Sequence, residues 1–121
     1  MIRGVRGATT VSKNQEDEIV SSTEDLLKKM IELNNITPES VASVFISTTD
    51  DITAVFPAKA VRKFKDWTYV PVMCMREIPV PSSLKMCIRV MMHVNTNINQ
   101  NKLNHVYLKE AKMLRPELSN N

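Results

Sequence analysis

The segment CIRVMMHV at residues 87–94 constrains the fold more than any other part of the sequence. In an extended strand, successive side chains point to opposite faces of the sheet. The even-numbered positions of this segment are all apolar, whereas Arg89 shares the odd-numbered face with Cys87, Met91 and His93. The alternation predicts a strand that buries its even-numbered face in the core and turns a guanidinium to the other side.

The rest of the chain predicts strands and helices around this strand. Apolar residues recur at helical spacing from Ile19 to Leu33. The helix that they predict should begin after an N-cap at Asn14 and end near Asn34. Strands are expected at 1–10, 41–48, 69–77, 87–94 and 105–113, a brief helical turn at 37–39 and a second helix at 56–64.

The resulting order is β-α-β-α-β-β-β, which is typical of an α/β or α+β fold with a mixed sheet. A length of 121 residues fits a single domain over 1–121. Residues 115–121 should form a short, mobile C-terminal tail.

Several classes of site are excluded by what the sequence lacks. Its only glycines, Gly4 and Gly7, lie in the first predicted strand, so the chain has no Gly-rich phosphate loop. The two cysteines form no CxxC pair, and with two histidines they offer no metal-ligand spacing. No Ser/His/Asp or Cys/His arrangement indicates covalent catalysis. We therefore expect neither a metal nor a cofactor.

The location and partners are constrained in the same way. Residues 1–10 contain no apolar signal region, and no apolar run reaches about 18 residues, so no membrane association is expected. Free thiols suit a reducing cytoplasm. The net charge is only +3, which does not by itself argue for nucleic acid.

Two interpretations of Arg89 are open from the sequence, because an arginine in mid-strand is costly to bury without a partner. It forms a salt bridge with a carboxylate such as Glu77, or its guanidinium is held rigid to meet an anionic ligand. Arg6 raises the same question on the first strand. The basic residues between 59 and 65 are either a solvated helix face or part of an anion site.

Six segments, spread over nearly the whole chain, carry a family resemblance. They are IRGVRGATT at 2–10, AVFPAKAVR at 54–62, YVPVMCMREI at 69–78, CIRVMMHVNT at 87–96, HVYL at 105–108 and LRPEL at 114–118. In this order and spacing they resemble the monofunctional chorismate mutases of the AroH class. The resemblance implies a cofactor-free enzyme that rearranges chorismate to prephenate in phenylalanine and tyrosine biosynthesis. It also implies a homotrimeric pseudo-barrel with active sites between subunits.

The same resemblance assigns roles to individual residues. Arg89 would face the ether oxygen of the substrate, and Glu77 together with Cys74 would contact its ring hydroxyl. Arg6 and Tyr107 would bind its carboxylates. The other expected contacts are Phe56, Lys59 and Arg62 from the neighbouring subunit, Met73 on the pocket wall, and Leu114 and Arg115 in the tail that closes over the mouth.

The sequence departs from the family pattern at three places, and two other functions compete. Met73 stands where a threonine is expected, Arg76 replaces a neutral polar residue, and 81–83 replaces a Gly-rich turn. One alternative is a non-catalytic trimer that binds a small anionic metabolite. The other is an RNA-binding sheet, which needs exposed aromatic side chains on central strands. Aromatic residues make up only 5% of the chain, which argues against RNA.

Overall fold

The computed structural model describes residues 1–114, which form a long α-helix, five strands and short 3₁₀ segments. The helix is α1 (Glu16–Asn34). The strands are β1 (Ile2–Thr10), β2 (Val41–Thr48), β3 (Val72–Arg76), β4 (Cys87–Asn95) and β5 (Val106–Tyr107). The 3₁₀ segments span Pro38–Ser40, Pro57–Lys63, Gln100–Lys102 and Lys109–Met113.

The five strands form one mixed sheet in the order β3-β2-β4-β1-β5. β4 lies at the centre and runs antiparallel to both of its neighbours, β1 and β2. The two edge strands run parallel to their partners, β3 to β2 and β5 to β1. This arrangement confirms the predicted α+β fold with a mixed sheet.

The core lies between the sheet and α1. The even-numbered positions of β4 are at most 2% exposed, as its alternation predicts. Leu26 and Met30 of α1 are fully buried in the same apolar cluster, which also takes in Ala60 and Val61 of the 3₁₀ segment Pro57–Lys63. At Gly7 the strand β1 lies close to α1, because a Cβ atom built there would lie 2.5 Å from Met30 Sδ.

The other face of the sheet carries the odd-numbered residues of β4. Arg89 stands in register with Ser47 of β2, which in turn stands in register with Met75 of β3. Met73 and Met75 are 62% and 43% exposed, so this face is largely open in a single chain. We call it the open face.

The start of α1 differs from the prediction, whereas its end agrees. Asn14 is not the N-cap: Gln15 occupies that position, and the Asn14 side chain instead accepts hydrogen bonds from the backbone N–H groups of Thr53 and Ala54 at 2.9 and 3.0 Å. The helix ends at Asn34, and Asn35 adopts the left-handed conformation with φ 51°. In the described part of the chain, no helix is both long and apolar enough to cross a membrane.

Three predicted elements are shorter or of another kind. The expected helix at 56–64 is the 3₁₀ segment Pro57–Lys63, which ends where the Phe64 N–H bonds the Val61 carbonyl three residues back. The third strand begins at Val72, after Pro71. The fifth strand was expected over 105–113, but only Val106–Tyr107 pairs with the sheet, and Lys109 at φ 54° turns the chain into another 3₁₀ segment.

Candidate active site

A pocket of about 300 Å³ lies on the open face of the sheet, over β1, β4 and β2. It contains the two arginines that the sequence singled out, Arg6 from β1 and Arg89 from β4. Tyr107 from β5 and Leu114 complete the set of predicted residues that line it. The remaining lining residues are Gly7, Ala8, Phe45, Ser47, Met75, Val90 and Met91.

Arg89 forms an ion pair with Glu77, which follows the end of β3. Its Nε lies 3.3 Å from Glu77 Oε2, and the side chains of Arg89 and Glu77 are 46% and 26% exposed. The Glu77 backbone N–H donates to the Thr48 carbonyl at 2.8 Å, which fixes the residue beside β2. The salt bridge between Arg89 and Glu77 is therefore confirmed, and it leaves much of the guanidinium open to a ligand.

Ser47 holds the second carboxylate oxygen of Glu77. Its hydroxyl donates to Glu77 Oε1 at 2.8 Å, and in the sheet it stands directly beside Arg89. Ser47 was not among the residues predicted from the sequence. The signal was present, since Ser47 occupies a position of β2 that alternates with the buried Val44 and Ile46 and therefore faces away from the core.

Arg6 and Tyr107 are held by the pairing of β1 with β5. The Arg6 backbone N–H donates to His105 Nδ1 at 3.0 Å, and Ala8 stands in register with Tyr107. Tyr107 is only 4% exposed and packs with Ala8 and Ala111 in a small apolar cluster that Leu114 covers in part. The tyrosine ring is thus fixed beside the pocket by packing.

Cys74 and Phe56 lie on a different surface of the chain. They line a separate cavity of about 540 Å³ between β3 and the 3₁₀ segment Pro57–Lys63. Because Cys74 stands in register with the buried Ile46, it points away from the open face. Burial raises the pKa of the Cys74 thiol. Within one chain, Cys74 and Glu77 therefore lie on different sides of the sheet.

The other predicted residues also lie outside the pocket of Arg89. Lys59 is exposed and pairs with Glu16 of α1, which raises the pKa of its ammonium. Arg62 Nη1 donates to the backbone carbonyls of Trp67 and Thr68, each at 3.4 Å. Met73 is largely exposed on the open face.

Arg115, together with the predicted tail at 115–121, lies outside the described residues. The ten predicted site residues that the structure describes thus fall into two groups. The pocket group is Arg6, Glu77, Arg89, Tyr107 and Leu114, and the outer group is Phe56, Lys59, Arg62, Met73 and Cys74.

The electrostatics of the pocket favour an anion. Arg6 and Arg89 bring two positive charges to it, and Glu77 offsets one of them. Apolar walls around a fixed guanidinium strengthen its interaction with a negative ligand. Within residues 1–114, no group of three or more His, Cys, Asp or Glu side chains is placed to hold a metal ion.

Comparison with known proteins gives the family. The family model described as chorismate mutase type I matches residues 2–118. The chorismate mutase AroH of Bacillus subtilis (strain 168) is 54% identical over 119 residues, which cover 98% of this chain and 94% of the relative. The chorismate mutase AroH of Thermus thermophilus is 44% identical over 119 residues, covering 98% of this chain and 97% of the relative.

The fold agrees with a solved structure of the same kind. The chorismate mutase from Clostridium thermocellum superposes with a TM-score of 0.88 at 50% sequence identity, covering 91% of this chain and 97% of that one. The sequence match and the structural match both extend over nearly the whole chain. The chain therefore belongs to the chorismate mutase type I family.

Proposed function

We propose that this protein converts chorismate to prephenate, and that the pocket of Arg6 and Arg89 is one side of its active site. The observation that carries the proposal is the Arg89 guanidinium, held by Glu77 at 3.3 Å on an otherwise largely apolar sheet face. The relatives are named as chorismate mutases, and the pocket has the net positive charge that a dianionic substrate requires.

The reaction is an intramolecular rearrangement. The ether C–O bond breaks while a C–C bond forms between the side chain and the ring, and all atoms stay in the molecule. Such a step needs the flexible substrate to be held in a compact conformation in which the reacting carbons meet. It also needs stabilisation of the negative charge that grows on the ether oxygen. The pocket therefore acts by shape and by charge.

Arg89 supplies the charge. A preorganised donor aimed at a developing oxyanion lowers the barrier by roughly 3–4 kcal/mol. The effect accelerates the reaction because the guanidinium interacts more strongly with the transition state than with the substrate. Glu77 has two roles in this proposal: it holds Arg89 in position, and it accepts a hydrogen bond from the ring hydroxyl while balancing positive charge on the ring.

The remaining residues of the pocket group bind the substrate. Arg6 and Tyr107 are suited to the two carboxylates, because a guanidinium and a phenol both donate to carboxylate oxygens. Tyr107 is held by the packing that buries all but 4% of it, so its hydroxyl needs little reorganisation. Leu114 and Arg115 would cover the mouth of the pocket.

We further propose that the active protein is a homotrimer with sites between subunits. The support is the separation of the two residue groups on one chain. The pocket group would meet the outer group of the next chain, so that Phe56, Lys59, Arg62, Met73 and Cys74 complete the site. Phe56, Met73 and Met75 are 75%, 62% and 43% exposed in a single chain, and association buries such side chains.

Two further inferences accompany this proposal. We infer a cytoplasmic protein, since the cysteines Cys74 and Cys87 are free thiols. We also infer that residues 1–121 act as a single domain.

The direct test is the loss of ultraviolet absorbance of chorismate on addition of the purified protein, with prephenate identified by its acid-catalysed conversion to phenylpyruvate. The expected result is saturable turnover without added metal or cofactor. Light scattering on the same sample should give the mass of three chains. Absence of turnover in a folded trimer would favour the non-catalytic anion-binding alternative, and turnover by an isolated monomer would overturn the shared site.

A further inference from the structure

A third cleft, of about 600 Å³, lies on the helix side of the sheet. Four lysines line it: Lys28 and Lys29 from α1, and Lys109 and Lys112 from the 3₁₀ segment after β5. We call it the lysine cleft. It is remote from the pocket of Arg89, because its floor residue Thr9 stands in register with the buried Ile88 and so faces α1.

The lysine cleft is positively charged overall. Two carboxylates, Asp25 and Glu32, also line it, so four positive and two negative side chains leave an excess of two positive charges. Both carboxylates lie on α1 within one turn of the helix lysines, where they offset part of their charge. Of the lysines from the 3₁₀ segment, Lys109 also interacts electrostatically with Glu18, which lies outside the lining. In the described chain the two salt bridges are those of Lys59 and Arg89, and neither involves the cleft.

Lys109 is held towards the cleft by its backbone. Its φ of 54° lies in the left-handed region, which side chains rarely adopt. From there its ammonium donates to the Ser22 hydroxyl of α1 at 3.1 Å. The conformation brings a positive charge and a hydroxyl together at the edge of the cleft.

Thr9 provides an independent observation. Thr9 is fully buried and lines the lysine cleft. Among the residues that the structure describes, its Oγ1 is the buried side-chain polar atom with no hydrogen-bond partner. A buried hydroxyl without a partner is uncommon in folded proteins. Because this oxygen has almost no accessible surface, a ligand oxygen in the cleft would satisfy it once the side chains above it move aside.

We propose that the lysine cleft binds a small phosphate-bearing anion, separately from the proposed active site. Ammonium groups from two chain segments and nearby hydroxyls suit the several oxygens of a phosphate, to which lysines bind as point charges. The lining contains lysines and no arginine, so the cleft offers point charges and hydroxyls to the oxygens of a phosphate. Malonate, a dicarboxylate of similar size, tests this preference directly.

The test is isothermal titration of the full-length protein with pyrophosphate in a phosphate-free buffer of low ionic strength. The expected result is one saturable site per chain. The variant K28Q/K112Q should weaken binding at least about tenfold, since it removes two of the four ammonium groups. The matched control K63Q/K65Q removes two exposed lysines outside the cleft and should stay within about twofold.

Two further variants test the Thr9 hydroxyl and the independence of the two sites. Thr9→Val keeps the shape of the residue and removes its hydroxyl, so affinity should fall roughly tenfold while the fold is kept. Arg89→Gln should leave pyrophosphate binding unchanged, because Arg89 lies on the other face of the sheet.

Other outcomes would overturn the proposal. They are an absence of saturable binding, equal losses in the two double-lysine variants, loss of binding in Arg89→Gln, or malonate binding as tightly as pyrophosphate. Circular dichroism of each variant checks its folding, and Thr9→Val keeps the test decisive should K28Q/K112Q fail to fold.

Discussion

Glu77 and Arg89 meet at 3.3 Å between Oε2 and Nε, across the end of β2, and Ser47 donates to the other oxygen of the same carboxylate at 2.8 Å. One carboxylate thus orients the guanidinium while a hydroxyl on the intervening strand orients the carboxylate. Because both side chains of the pair are partly exposed, the ion pair adds little to stability. The ion pair instead fixes the direction in which the Arg89 guanidinium points.

Glu77→Gln should lower kcat by up to about 100-fold, because an amide keeps the shape of the side chain but loses the charge that holds Arg89 in position. Its unfolding free energy should change by less than about 1 kcal/mol, as for other partly exposed pairs. Steady-state kinetics and urea denaturation measure the two quantities. Ser47→Ala is the matched control for the hydroxyl alone and should reduce kcat less. A large loss of stability with unchanged kcat would give Glu77 a structural role only.

Arg89→Gln should lower kcat by at least about 10²–10³-fold, the effect of removing one preorganised donor from an oxyanion. The matched control is Arg3→Gln, because Arg3 lies on the same sheet and donates to the Ile98 carbonyl away from the pocket. Its kcat should stay near that of the unmodified protein. Turnover of Arg89→Gln within about tenfold, or roughly 1.4 kcal/mol, would contradict the electrostatic role of Arg89.

The central part of the fold could be predicted because its periodicity is strong. The alternation at 87–94 predicted the strand Cys87–Asn95 and its buried face, and the expected strand at 41–48 is Val41–Thr48. A long amphipathic pattern likewise located the end of α1 at Asn34. In each case one face is buried over two or more repeats, so a shift of register would expose the whole apolar set.

The shorter elements could not be predicted in the same way. Over the seven residues of Pro57–Lys63, periods of 3.0 and 3.6 residues per turn place the same apolar side chains inwards, so the sequence did not distinguish a 3₁₀ segment from an α-helix. Beyond Tyr107 the charged stretch KEAKM has no alternation, and the left-handed Lys109 ends the strand. In neither segment does a glycine mark the change of chain direction.

Only part of the candidate site could be predicted from the amino-acid sequence. An ion pair between Arg89 and Glu77 was one of two open interpretations, and the structure shows this ion pair. The family resemblance implied a site between subunits that includes ten of the described residues, and within one chain the sheet directs Glu77 and Cys74 to opposite sides. Sequence order does not indicate which residues of a site come from different chains, because that depends on packing between copies.

Gly7→Ala should destabilise the fold by roughly 1–3 kcal/mol through overpacking. Its new Cβ would lie 2.5 Å from Met30 Sδ and 3.0 Å from Leu26 Cδ1, both of them fully buried side chains of α1. Gly4→Ala on the same strand is the control, because its Cβ would meet only Met91 Sδ at 3.1 Å on the open face. Urea denaturation at one fixed protein concentration should give a lower midpoint for Gly7→Ala. Equal midpoints would show that α1 can move away from β1.

Mixing two inactive variants tests whether the pocket group and the outer group come from different chains. In a cyclic trimer that contains both Arg6→Gln and Arg62→Gln chains, one interface in three pairs an intact Arg6 with an intact Arg62. Co-expression with two affinity tags isolates such trimers, and their activity should reach about one third of the unmodified enzyme. The control pairs Arg6→Gln with Arg89→Gln: both residues line one pocket of one chain, so every site stays defective. Recovery in the control, or none in the Arg6 and Arg62 mixture, would contradict a site shared between chains.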